Sequence, residues 1–232
     1  MQETVLITGA NRGIGLEFVR QFARGGSQVI ACCREPTSAS ALNTLMQESD
    51  GKVTVHRLDV ANRAQREDLR SELGDTPIDL LINNAGVYGQ RDATFGNIDE
   101  QQWLETFAIN AIAPIKLSEA LVENVARGRR KIIASISSQM GSIADNSSGG
   151  HYVYRSSKAA LNAAMKSMAL DLQSRGVIAA ILHPGWVKTD LGGPNALISV
   201  EESVDYMRAT LERVTLKDSG TFFDIDGSVM PW

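Results

Sequence analysis

The feature that most constrains this chain is an alternation of short, almost unbroken apolar runs with longer stretches of helical periodicity. The apolar runs fall at 4–8, 28–33, 52–58, 78–82, 131–136 and 177–182, with a last short one near 221–223. Val5-Leu6-Ile7 and Ile78-Asp79-Leu80-Leu81-Ile82 are nearly continuous. Strands that are apolar at consecutive positions are buried on both faces, which is the habit of parallel sheets covered by helices. Helical patterns fill the gaps. Residues 14–24 set Phe18, Val19 and Phe22 on one side, 100–126 form a long amphipathic stretch, and 152–174 place Ala160, Leu161, Ala164, Met168 and Leu172 at helical spacing. The β-α-β-α order predicts an α/β fold, a doubly wound parallel sheet with helices on both faces. No linker, repeat or low-complexity segment interrupts the 232 residues, so we read one domain over 1–232. The stretch 185–200 follows a strand and holds Gly185, Gly192, Gly193 and Pro194, which reads as a mobile loop over a site.

Thr8-Gly9-Ala10-Asn11-Arg12-Gly13-Ile14-Gly15 joins the first strand to the first helix. Glycine allows a tight turn, and a helix N-terminus offers unpaired N–H groups and a favourable dipole to a pyrophosphate. The spacing is Gly-x-x-x-Gly-x-Gly rather than the commoner Gly-x-Gly-x-x-Gly. Gly9, Asn11, Arg12, Gly13, Ile14 and Gly15 are therefore candidate cofactor-binding residues on a Rossmann-type sheet. The second strand ends at Cys33-Arg34. An acid there would bind a ribose 2′-hydroxyl, whereas an arginine accommodates a 2′-phosphate. The strand offers no acid before Arg34, and Arg12 lies in the turn. Two guanidiniums suit a phosphate by charge and fork geometry, which predicts NADP(H) over NAD(H). Glu35 follows Arg34 and could pair with it. Asp59, followed by Val60 at the end of the third strand, could accept from the adenine amino group or cap the helix from Asn62 onward.

Tyr154 and Lys158 lie four apart in Tyr-Arg-Ser-Ser-Lys, on one face of a helix. A free phenol has a pKa of about 10, and a nearby ammonium draws it toward the working pH. Such a pair suits general acid–base work on a hydroxyl or carbonyl. Tyr152 also opens this helix, but the residue four beyond it is Ser156. His151, in a Gly-Gly-His turn, reads as a loop residue.

Net charge is −4, with no broad basic excess to suggest nucleic acid. The basic run from Arg127 to Lys131 sits between a helix pattern and a strand, where basic residues complement a helix C-terminus. No secretory signature precedes Thr4 and no apolar run reaches membrane-spanning length, which makes the cytoplasm the expected location. Cys32 and Cys33 are strand neighbours pointing to opposite faces, so they are expected to be small buried residues rather than a disulfide. No Cys/His grouping has metal-ligand spacing, and no metal is expected.

Taken in order, Thr8–Gly15, Asn83-Asn84-Ala85-Gly86, Asn110, Ile136-Ser137-Ser138, Tyr154-x-x-x-Lys158 and Pro184-Gly185 resemble the short-chain dehydrogenase/reductase family over nearly the whole length. The run from His183 to Asp190 and the ending Asp226-Gly227…Pro231-Trp232 are similar to the branch of sniffer-type carbonyl reductases and C-factor-like proteins. The resemblance implies that Tyr154 exchanges a proton with the substrate oxygen, and that Lys158 holds the nicotinamide ribose and lowers the tyrosine pKa. It implies that Ser138 hydrogen-bonds the substrate carbonyl and that Asn110 anchors a water linking Lys158 to solvent. Asn84, Ala85 and Gly86 would line the cofactor, with Pro184, Gly185, Val187 and Thr189 at its nicotinamide end. Alternation along the fifth strand turns only one of Ser137 and Ser138 toward the site, and Ser138 is the family position. The segment between Ser138 and Tyr154 is a few residues longer than the common spacing, which bears on pocket shape and on the usual subunit interface.

These features lead us to expect an NADPH-dependent carbonyl reductase acting on a small ketone, aldehyde or quinone, with Tyr88, Met140 and Trp186 shaping an apolar substrate pocket. A homodimer is the expected assembly. The alternative is a C-factor-like signalling protein whose dinucleotide site is regulatory or structural.

Overall fold

The computed structural model describes residues 2–232. Seven parallel strands form one sheet in the order β3-β2-β1-β4-β5-β6-β7. In chain order these are β1 (Thr4–Thr8), β2 (Gln28–Cys33), β3 (Val53–Arg57), β4 (Leu80–Asn83), β5 (Ile132–Ile136), β6 (Ile178–Leu182) and β7 (Thr221–Phe223). Between them run α1 (Gly13–Arg24), α2 (Ser40–Glu48), α3 (Arg63–Leu73), α4 (Glu100–Phe107), α5 (Ala113–Arg127), α6 (Tyr152–Asp171) and α7 (Val200–Arg213).

The unbroken apolar runs are unbroken because both faces of each strand are covered. Val5 and Ile7 pack with Phe18 and Phe22 of α1, Leu42 of α2, and Val204 and Leu211 of α7. Leu6, between them, packs with Leu69 of α3, Leu117 and Leu121 of α5, and Leu161 and Met165 of α6. Each such side chain contributes about 1.5–3 kcal/mol by leaving water. Cys33 belongs to the first layer and Cys32 to the second, on opposite faces and both reduced. The chain runs outward from β1 to β3, then returns to place β4 on the other side of β1. That reversal opens a crevice at the carboxyl ends of β1 and β4, where open α/β sheets bind ligands.

One long helical pattern is broken. Residues 100–126 do not form a continuous helix; α4 and α5 are separated by a π-helical turn, Ala108–Ile112. Pro114 explains part of this, since it has no N–H to donate to the carbonyl of Asn110. The pattern 152–174 stops at Asp171, followed by a 3-10 turn and Gly176 in the left-handed region. Two helices, α2 and α7, are not singled out by the sequence reading. Three arginines of the basic run pair with acids distant in sequence: Arg127 with Asp75 at 3.1 Å, Arg129 with Asp79 at 3.7 Å, and Arg130 with Glu3. No helix among the described residues is long and apolar enough to cross a membrane.

Candidate active site

A cleft of roughly 750 Å³ lies at the β1/β4 crevice. Its floor is the glycine turn. Gly9 has φ +64°, and a Cβ there would stand 3.0 Å from the Cα of Ala85. A Cβ on Gly15 would fall onto the carbonyl oxygen of Gly9 and 2.6 Å from Asn84 Nδ2. The absence of side chains thus lets the β1–α1 turn nest against the segment after β4. Asn84 stitches the two together: Nδ2 donates to the Thr8 carbonyl at 2.9 Å, while the Asn84 and Ala85 N–H groups donate to Thr8 Oγ1 at 3.0 and 3.1 Å. Arg12, the N-cap residue of α1, gives no side-chain cap. The first-turn N–H groups are thus left for an anion. This cradle fits a dinucleotide pyrophosphate.

Of the residues expected to hold a cofactor, Gly9, Asn11, Arg12, Gly13, Ile14, Gly15, Arg34, Asp59, Val60, Asn84, Ala85, Gly86, Tyr154, Lys158, Pro184 and Thr189 line the cleft. Gly185 and Val187 do not. Gly185 packs under the loop, where a Cβ would strike Ile198 and Ile225, and Val187 is buried in a bridge to Ile198. Sequence reasoning missed Cys33, Ser38, Lys188, Asp190 and Leu191 on the cleft wall. Lys188 and Asp190 carry one available signal, their place in the run from His183 to Asp190.

Three electrostatic expectations are revised. Glu35 pairs with Arg57 at 3.8 Å rather than with Arg34, which makes no ion pair among the described residues. Arg12 is ion-paired across the cleft with Asp190. Asp59 does not cap α3. Asn62 does so by accepting from the Gln65 N–H, while the Asp59 carboxylate accepts from the Ala61 N–H at 3.0 Å.

At the inner end of the cleft, Tyr154 and Lys158 are both buried on α6. Lys158 Nζ donates to the Ile136 carbonyl at 2.9 Å and lies 5.8 Å from the Tyr154 ring centre. Burial pulls the Lys158 ammonium down to about 8. The expected lowering of the Tyr154 phenol is reversed. Burial pushes it well above its ordinary value, and the Ser138 hydroxyl, as a hydrogen-bond partner, pulls less strongly the other way. In this state Tyr154 is a neutral phenol, the protonation required of a donor.

Ser137 and Ser138 make different contacts, and of the two it is Ser137 that lines the cleft. Ser137 Oγ donates to Asn162 Oδ1 at 2.6 Å, inside the α6 side, while Ser138 acts on Tyr154 and accepts from the Met140 N–H at 3.1 Å. Asn110 is fully buried in the π turn. Its Oδ1 accepts from the Val87 N–H at 2.9 Å, and its Nδ2 donates to the Val87 carbonyl at 2.8 Å and to Ser157 Oγ at 3.0 Å. Both amide hydrogens are thus committed to protein, and the side chain braces the irregular segment after Gly86 against α6. Tyr88 and Met140 meet near Tyr154, with Tyr88 stacked on it at 4.4 Å. Trp186 stands half exposed on the 185–200 segment. That segment, expected to be mobile, is laced internally. Trp186 Nε1 donates to the Gly192 carbonyl at 2.8 Å, Thr189 Oγ1 accepts from the Gly192 N–H at 3.1 Å, and Ser203 Oγ of α7 holds the Pro184 carbonyl at 2.6 Å. His151 is a loop residue just before α6, as expected, and its Nδ1 meets the Tyr88 hydroxyl at 3.1 Å.

A glycine-floored cleft at the switch point, closed at one end by a buried Tyr–Lys pair, defines an α/β dinucleotide-binding oxidoreductase. The chain belongs to the short chain dehydrogenase family, whose sequence model matches residues 3–196. It is 44% identical over 156 residues to the C-signal of Myxococcus xanthus, a match covering 67% of this chain and 93% of that protein. Two solved structures superpose over their full lengths and the full length of this chain, each with a TM-score of 0.93. They are an NADPH-bound carbonyl reductase from chicken fatty liver, 34% identical, and the carbonyl reductase Sniffer of D. melanogaster, 32% identical.

Proposed function

We propose that this protein is an NADPH-dependent carbonyl reductase that converts a small ketone, aldehyde or quinone to the alcohol. The observation that carries the reading is the buried Tyr154 phenol at the inner end of the dinucleotide cleft, with Lys158 Nζ 5.8 Å from its ring centre on the same helix. The likeness to carbonyl reductases supports it. The glycine cradle and the α1 N-terminus would hold the pyrophosphate, and Lys158 the ribose next to the nicotinamide. Arg34, which makes no ion pair among the described residues, would hold the 2′-phosphate. What NADPH supplies when bound is a hydride for the carbonyl carbon. The chain's own residues do the rest. Ser138 and Tyr154 hydrogen-bond the carbonyl oxygen and stabilise the charge that grows on it. Tyr154 then donates its proton. The phenolate left behind is costly in this buried setting and is stabilised by the Lys158 ammonium. Its high proton affinity also drives rapid reprotonation.

Two expected outcomes test this. Titration of the purified protein should show tighter binding of NADPH than of NADH, with carbonyl-dependent oxidation of NADPH. Arg34→Ala should weaken NADPH by about tenfold, the scale of one charge-assisted hydrogen bond, and leave NADH unchanged. Equal binding of both cofactors by the wild type would sink the arginine argument.

The second outcome concerns pH. Below about 8 Lys158 is an ammonium, and above it the charge is lost. Turnover should therefore fall as pH rises through about 8. Unfolding does not explain such a fall. The unfolded lysine binds its proton up to about 10.4, so between the two values the unfolded state holds more protons and Lys158's own contribution to stability rises with pH. A rate that stays flat through pH 9 would remove Lys158 from the chemistry.

A second reading rests on the identity with the C-signal: a signalling role in which the dinucleotide site is regulatory. Equal cellular rescue by wild type and Tyr154→Phe would favour it. A cytoplasmic location and a homodimer complete the proposal, the latter supported by Leu104 and Ile112 exposed on α4 and the π turn.

A further inference from the structure

Tyr154 does not face its surroundings alone. The Tyr88 ring lies flat on it, 4.4 Å between centres and 6° between planes. The Arg91 guanidinium sits over the Tyr88 ring at 4.7 Å. Arg91 Nη2 then reaches across to the 185–200 segment, donating to the carbonyls of Asp190 and Leu191 at 3.0 and 3.1 Å. The Tyr88 hydroxyl is held from a third direction by His151 Nδ1, on a residue whose backbone N–H donates to the Ala93 carbonyl at 3.0 Å. Tyr154 forms part of the cleft wall and Tyr88 does not. Tyr88 is thus pinned on both faces and at its tip, a poor arrangement for a side chain that merely adapts to a substrate.

We propose that Tyr88 and Arg91 are positioning residues for the proton donor, Tyr88 fixing the plane of the Tyr154 ring and Arg91 tying that plane to the 185–200 loop. The proposal rests on the reading of Tyr154 as proton donor. A stacked aromatic face is electron-rich and repels the negative charge that Tyr154 acquires as its proton leaves. A cation on the far side of Tyr88 offsets that repulsion, as a cation over an aromatic face does by its attraction to the ring quadrupole. The benefit exists only while charge develops, so it belongs in kcat and not in cofactor affinity. The same guanidinium grips two loop carbonyls, so loop position and phenol orientation are set by one side chain.

The test uses the full chain with menadione as the carbonyl probe, NADPH affinity from fluorescence quenching, and tryptic cleavage after Lys188 followed by mass. Tyr88→Leu and Arg91→Met should each lower kcat by about tenfold or more, the effect of removing one strong desolvated contact, with NADPH affinity unchanged in Tyr88→Leu and reduced by less than kcat in Arg91→Met, whose loop lines the cleft. Tyr88→Phe, which keeps the ring, should restore most of the rate lost in Tyr88→Leu, and Arg91→Lys part of that lost in Arg91→Met. Arg91→Met should also be cut faster after Lys188. Full rates in both Tyr88→Leu and Arg91→Met, beside an active wild type, would overturn the proposal and leave the reductase reading standing. A loss confined to NADPH affinity would overturn it equally. A wild type no faster than Tyr154→Phe would instead bring down the proton-donor reading, and the catalytic half of this proposal with it.

Discussion

Tyr154→Phe is expected to lower carbonyl reduction by about 10²–10⁴-fold, the usual worth of a positioned general acid, while NADPH binds as before. The substitution removes one oxygen from a buried ring and leaves its packing intact. Phe keeps the face that stacks on Tyr88 and the edge beside Lys158. What disappears is the proton, together with the charge that Lys158 and Ser138 act on. Stopped-flow mixing with NADPH separates the two effects, because binding is read before turnover. Substantial reduction by the Phe variant would mean that another group donates. His151 has no direct route to the role, since its Nδ1 is engaged with Tyr88 rather than Tyr154.

The second large effect is expected at Gly15. In Gly15→Ala the new methyl lands on the Gly9 carbonyl and 2.6 Å from Asn84 Nδ2. Neither neighbour can yield cheaply. The Gly9 carbonyl is backbone in the turn that faces the cofactor, and Asn84 holds that turn through the Thr8 carbonyl. Overpacking of this kind costs about 1–3 kcal/mol, which lowers Tm by roughly 2–12 °C in a chain of this size. Because the displaced atoms form the phosphate cradle, NADPH affinity should fall with it. Gly25→Ala, just past the other end of α1, is the control. There φ is −72° and the nearest contacts to a new Cβ are at 3.4 Å. Thermal melts and NADPH titrations of both variants decide the matter, and a Gly15→Ala protein that matches the control in both would contradict the close approach of the two segments.

Much of this molecule can be read without coordinates, and for a physical reason. The strands of a doubly wound sheet are buried on both faces, so their apolar runs are loud. Five of the seven begin or end where the runs at 4–8, 28–33, 131–136, 177–182 and 221–223 begin or end. The glycine turn is legible because steric demand falls on consecutive residues. The Tyr154–Lys158 pair is legible because a helix turns four-residue spacing into adjacency. Strand alternation says that only one of Ser137 and Ser138 faces the site, and it is the family resemblance that picks Ser138.

The structure decided whatever depends on partners far apart in sequence or on burial. The break of 100–126 into α4, a π turn and α5 needs Asn110 to be drawn onto Val87. The ion pair of Arg12 with Asp190 spans 178 residues, and the meeting of Tyr88 with His151 spans 63. Nothing local announces either. The choice of Arg57 over Arg34 as partner for Glu35 depends on β2 and β3 lying side by side. The sign of the Tyr154 shift is the clearest case. Spacing along a helix places an ammonium beside a phenol, which argues for a lowered pKa. Only the packed structure shows that burial dominates, and that the groups pulling the phenol back down are Ser138 and Arg91 rather than Lys158. The amino-acid sequence determined that Tyr154 and Lys158 share one helix face at the inner end of the cleft. Tertiary structure decided how dry that meeting place is, and therefore the direction in which each pKa moves, up for the Tyr154 phenol and down for the Lys158 ammonium.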